Sequence, residues 1–160
     1  MSYKEVPSGS VLAFLKQEFE GKVVSGSRSA TGNWLGFTLE KIERGKAEIS
    51  LVVKHDMTNP YGNIHGGMMA VLMDEVIGWS VVSLDTNNNY TSLNLNVDFL
   101  YAISEGEKLI AKAQVVREGK KVIHVDCVVY NMKGQMLAKA TSNLIVTQMK
   151  PHNGDAKVAN

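Results

Sequence analysis

Most apolar residues of this chain recur at every second position, while one block in the middle does not alternate at all. Ala47, Ile49, Leu51 and Val53 alternate with polar neighbours after a turn at Glu43-Arg44-Gly45-Lys46, which predicts two strands between Trp34 and Lys54. The C-terminal half adds further alternating runs. They are Leu93, Leu95, Val97 and Phe99; then Leu109, Ala111, Ala113 and Val115; then Ile123, Val125, Cys127 and Val129; then Ala138, Ala140, Ser142, Leu144 and Val146. The turns at Glu118-Gly119-Lys120 and Met132-Lys133-Gly134 are short enough to require antiparallel neighbours.

Helical spacing appears twice. Val11, Leu12, Phe14, Leu15 and Phe19 fit one face of an amphipathic helix over 8–20, with Ser8 or Ser10 as its cap. Residues 21–33 are rich in Gly and Ser and read as loop. The block that does not alternate runs from Gly66 to about Leu84, where Asp85-Thr86-Asn87-Asn88-Asn89 breaks it. Asp74 and Glu75 sit near its middle, and either would be costly at a bilayer centre. Its length is also at the lower edge of a membrane span, so it is predicted as a buried core helix.

An almost wholly apolar helix among half-buried strands packs most economically with the sheet wrapped around it. The predicted class is α+β: an antiparallel sheet around a long central helix. Three segments follow: an N-terminal helix and loop over 1–33 packed on the domain, the main domain over 34–147, and a flexible polar tail over 148–160. One small sheet cannot cover every side of such a helix. The leftover apolar surface predicts a homo-oligomer.

Composition narrows the partners. The 160 residues carry a formal charge of +1, so no bulk attraction to nucleic acid or anionic membrane is expected. Cys127 is the single cysteine and the N-terminal residues lack a signal-peptide layout, which points to the cytoplasm. His55, His65, His124 and His152 show no metal-ligand spacing, so neither a metal nor another cofactor is expected.

The candidate chemistry lies where the apolar block begins. Asn59-Pro60-Tyr61-Gly62-Asn63-Ile64-His65-Gly66-Gly67 leads straight into it. Glycines at a helix start leave backbone N–H groups open to developing negative charge. Asp74 lies further along the same helix, and apolar surroundings would raise its pKa and make it a better base. An anion site and a displaced carboxylate are two halves of a hydrolytic site. Glu75 points about 100° away from Asp74 and reads as an interface or surface charge.

Asn59, then His65-Gly66-Gly67, then an acid nine positions after the histidine, then Ser92 opening a strand: this spacing resembles the hotdog-fold acyl-CoA thioesterases, in particular the phenylacetic-acid-degradation (PaaI-like) branch. The resemblance runs roughly from Trp34 to Thr147. It implies that Asp74 is general base or nucleophile and that the Gly66 N–H polarises the thioester carbonyl. It further implies that Asn59 and Ser92 help place the water or the acid, and that His65 shapes the loop. Ser92 alternates away from Leu93, Leu95 and Val97, so it must reach the site through strand twist or across a dimer.

Eight residues on one helix separate Gly66 from Asp74 by about 12 Å along the axis. Catalytic partners need to lie about 3 Å from a shared atom. Two antiparallel helices across a two-fold axis satisfy this, with Gly66 of one chain facing Asp74 of the other, and the resemblance implies the same. A homodimer at least, and a homotetramer by extension, is therefore expected. The substrate would be an acyl-CoA, hydrolysed to free acid and coenzyme A. Gly67 and Met73 are candidate substrate contacts; Met68, Met69 and Met73 could line an acyl tunnel, but core packing is the favoured role for most of them. Arg117, Lys120 and Lys121 could grip coenzyme A phosphates or merely solvate a hairpin turn. A hotdog dehydratase or hydratase, and a non-catalytic acyl-CoA-binding module, are the alternatives.

Overall fold

A computed structural model describes residues 6–7, 9–86 and 88–149. Helix α1 (Val11–Phe19) precedes the short strand β1 (Lys22–Val23) and helix α2 (Ala30–Leu35). Strands β2 (Thr38–Glu43) and β3 (Lys46–Val52) lead through a 3-10 turn to the long helix α3 (Gly66–Val82). Strands β4 (Asn89–Phe99), β5 (Lys108–Glu118), β6 (Val122–Asn131) and β7 (Met136–Thr147) follow. The strands form one antiparallel sheet in the order β1-β2-β3-β5-β6-β7-β4, with β4 at an edge. Helix α3 lies against β3, β5 and β6. Its buried face, including Leu72, Met73, Val76 and Ile77, meets Ile49, Ala111, Val125 and Cys127 in one core. Burial in that core pushes the Cys127 thiol up to about 12.

The expected architecture is present, with local departures. Residues 21–33 are not all loop, and Trp34 belongs to α2 rather than to a strand. Ser29 caps that helix by accepting the Gly32 N–H, and Gly36 ends it in the left-handed region at φ 63°. Ser10 occupies the N-cap of α1, but its hydroxyl donates to the Pro7 carbonyl. The alternative cap, Ser8, lies outside the described residues, as does the tail beyond Met149. The capping is done instead by Asp85, whose carboxylate accepts the N–H groups of Gly9 (3.0 Å), Val11 (3.2 Å) and Leu12 (3.4 Å).

The sheet does not enclose α3 on all sides. Gly67, Asp74 and Val82 are exposed, and Val71 and Gly78 between them are half-buried. At spacings of three and four these residues form one stripe along the helix. Along β4, Leu93 and Phe99 were expected inside but are 59% and 58% exposed. The strand is an edge, and its ladder with β7 is irregular between Ser92 and Asn94.

Candidate active site

The loop before α3 is organised by Asn59. Its Oδ1 accepts the N–H groups of Tyr61 (2.9 Å) and Asn63 (3.2 Å), and its backbone exchanges bonds with Asn63 and Gly62. This Asx turn delivers His65 to the N-cap of α3. The His65 Nδ1 accepts the Gly67 N–H at 2.9 Å, so the ring caps the first turn of α3. Both glycines answer to their neighbours. A Cβ on Gly67 would stand 3.1 Å from His65 Nδ1, and one on Gly66 would stand 3.3 Å from the Phe99 ring. The Gly66 N–H has no acceptor among the described residues. It is an open donor at the helix start.

Asp74 lies two turns further on, exposed on the open stripe of α3. The expected burial among apolar neighbours is not found within one chain, because the apolar residues beside it in sequence turn toward the sheet. Ser92 Oγ donates to Asp74 Oδ1 at 3.3 Å. Simple alternation pointed Ser92 outward. Instead Ser92 pairs with the buried Leu144 while Asn94 pairs with Asn143, so Leu93 is an extra residue in β4. This bulge reverses parity and turns Ser92 to the helix side.

Glu75, expected as an interface or surface charge, is half-buried against α2 within its own chain. It accepts a hydrogen bond from Ser29 Oγ, and its carboxylate lies so close to α2 that a Cβ on Gly32 would stand 2.7 Å from Oε2. Burial raises its pKa; the Ser29 bond works against that, and the neighbouring Asp74 charge adds to it. No motif marked this contact in the sequence. The Ser-x-x-Gly of the α2 cap was its only trace.

Other candidates stand apart. Met73 is fully buried in the core. Gly67 is exposed beside Gly66. Arg117, Lys120 and Lys121 sit at the β5–β6 hairpin, all exposed. That end of β5 adjoins the β2–β3 turn through the Arg44–Glu118 ion pair (2.9 Å). The same turn receives the end of α3, since Ser83 bonds Gly45 and Glu43. The hairpin is thus at the opposite end of α3 from Gly66 of its own chain. Among the described residues there is no cluster of three or more His, Cys, Asp or Glu able to hold a metal. No described helix is long and apolar enough to cross a membrane.

The thioesterase superfamily model matches residues 61–138, from the loop through α3 to β7. A putative esterase of Sulfurisphaera tokodaii is 33% identical over 106 residues, spanning 66% of this chain and 78% of the relative. The chain belongs to the thioesterase superfamily. Its class is therefore thioester hydrolase and its fold the hotdog, as the His-Gly-Gly and acid spacing implied. Within the superfamily, human acyl-coenzyme A thioesterase 13 is 26% identical over 108 residues, covering 68% of this chain and 72% of that protein. A hypothetical thioesterase of Streptococcus pneumoniae, solved with coenzyme A, superposes with a TM-score of 0.66 at 29% identity. The match covers 69% of this chain and 85% of that one. The Escherichia coli PaaI protein shares the fold, with a TM-score of 0.69 at 24% identity over 74% of this chain and 88% of its own.

Proposed function

We propose that this thioesterase hydrolyses acyl-CoA to free acid and coenzyme A in sites shared between the two protomers of a homodimer. One observation carries the reading. The unbonded Gly66 N–H and the exposed Asp74 lie on one helix, eight residues and so about 12 Å apart, too far to serve one carbonyl within a chain. The open stripe through Gly67, Asp74 and Gly78 supports a second α3 lying antiparallel against the first, since a Cβ on Gly78 would meet nothing within 4 Å. The coenzyme A bound to the Streptococcus relative and the name of the human one support the substrate class.

In this reading the Gly66 N–H, aided by the α3 dipole, receives the charge that builds on the thioester oxygen. Asp74 of the other protomer, held at Oδ1 by Ser92, acts as base on water or as nucleophile on the carbonyl carbon. As base, Asp74 takes a proton from water while the water oxygen bonds the carbonyl carbon; the carbon–sulfur bond breaks and the thiolate leaves as coenzyme A thiol with that proton, and the acid remains. As nucleophile, Asp74 displaces the thiolate to form an acyl anhydride, which water then splits, restoring the Asp74 carboxylate, releasing the acid and giving a proton to the thiolate. Asn59 and His65 contribute by fixing the loop that presents Gly66. An antiparallel pairing also brings the hairpin of Arg117, Lys120 and Lys121 to the Gly66 end of its partner, where those cations can meet coenzyme A phosphates. Met73 backs the site from the core rather than touching the acyl group.

Thiol release from a panel of acyl-CoAs tests the reading. Asp74→Ala and Asp74→Asn should each lower kcat by about 10²–10⁴ without loss of the dimer. A folded Asp74→Ala protein with undiminished thiol release removes Asp74 from the reaction.

A further inference from the structure

Ser142 is the odd residue on the inner face of β7. Its neighbours on that face are Ala138, Ala140 and Leu144, and Ser142 itself is 0% exposed. Its hydroxyl donates to the backbone carbonyl of Asn94 at 2.8 Å. On the outer face the Asn94 side chain does the reciprocal work. Asn94 Oδ1 accepts the Asn143 backbone N–H at 2.8 Å and the Asn143 side-chain amide at 3.2 Å. The His124 ring, through Nδ1, then holds Asn143 Oδ1 at 2.8 Å.

These bonds meet where the β4–β7 ladder is interrupted. A bulge leaves backbone groups without their regular partners, and unpaired groups in a sheet are costly. Here the Asn143 N–H and the Asn94 carbonyl are both satisfied by side chains, one from each face. In an uninterrupted ladder Ser92 would share the outer face with Asn94, and Asp74 would lose its hydrogen-bond donor. We infer that Asn94 and Ser142 are positioning residues for hydrolysis: together they staple the Leu93 bulge that turns Ser92 onto Asp74. The inference rests on the reading of Asp74 and Ser92 given under Proposed function.

A double-mutant cycle in a thiol-release assay tests it. Asn94→Ala should lower kcat by about 10- to 100-fold through misplacement of Ser92, with KM little changed. Asn94→Asp, which keeps an acceptor for the Asn143 N–H, should restore most of the rate. Added to Ser92→Ala, Asn94→Ala should cost nothing further, because both remove the same contact. Ser142→Ala repeats the cycle from the inner face if Asn94→Ala does not fold. Losses that multiply in the double variant overturn the inference, as does a fully active Asn94→Ala beside an impaired Ser92→Ala. A fully active Ser92→Ala overturns the role given to that serine, which is a different failure and is read from the single variant alone.

Discussion

A carboxylate on an apolar helix is buried or bare according to 100° of rotation, and Glu75 and Asp74 take the two outcomes. Glu75 turns under α2 to the Ser29 hydroxyl, and Asp74 turns to the open stripe and Ser92. The pKa of Glu75 is raised, with burial as its first cause, so the folded state holds the Glu75 proton more tightly than the unfolded chain does. That favours folding below the usual carboxylate range and is lost as pH rises through the raised value. Glu75→Gln keeps an acceptor for Ser29 and removes the charge. It should raise Tm at pH 8, with the gain fading toward pH 4. An equal shift at both pH values in thermal melts would show that the charge is not the cause. The Gly66–Asp74 spacing was legible in the sequence because it depends only on helical rise and on glycine at a helix start. The environments of Asp74 and Glu75 were not, because sequence neighbours on a helix are not spatial neighbours.

Secondary elements were legible wherever one period ran unbroken. The alternation in β3, β5, β6 and β7 and the long block of α3 depend on burial against one core, which composition already carries. The departures arise where a side chain from elsewhere decides the local structure. Helix α2 is held by its Ser29 cap, Gly36 and the Glu75 contact. The β4 bulge is held by Asn94 and Ser142. Helix α1 has no side-chain cap of its own and borrows one from Asp85, more than seventy residues away. It is also anchored by Phe19 edge-on to Trp79, with centroids 5.3 Å apart. Asp85 itself sits at φ 58°, a conformation Asp tolerates better than most side chains. Three variants separate its two roles. Asp85→Asn keeps an acceptor and the backbone tolerance and should cost little. Asp85→Gly loses the cap, worth about 1 kcal/mol, while easing the backbone. Asp85→Ala loses the cap and adds about 1–2 kcal/mol of left-handed strain. Denaturant melts should rank stability Asn, Gly, Ala. Hydrogen exchange in α1 should quicken in the last two, and unchanged exchange there would dissociate Asp85 from the helix.

At the scale of the whole molecule, the proposed sharing between protomers leaves each hotdog protomer with half of a site. The donor is at the start of α3, the carboxylate is two turns away, and the surface between them is the stripe that the sheet leaves open. A shared site makes a quantitative demand that a site within one chain does not. Gly66→Pro removes the donor N–H while keeping the helix, because proline suits the first helical position and His65 before it is already extended at ψ 137°. The Phe99 ring, 3.3 Å from a Cβ at that position, is 58% exposed and free to give way. Alone, Gly66→Pro should lose about 10²–10³ in kcat, as for removal of an oxyanion donor, and Asp74→Ala should be at least as impaired. Mixed in equal amounts and allowed to exchange subunits, half of the dimers are hybrids. Each hybrid joins an intact Gly66 from one chain to an intact Asp74 from the other in one of its two sites. The mixture should recover roughly a quarter of wild-type turnover. Sites contained within single protomers would leave the mixture as inactive as its components, since every chain still lacks one group. Recovery that tracks subunit exchange, followed in a thiol-release assay over time, therefore distinguishes the two arrangements without a structure of the dimer.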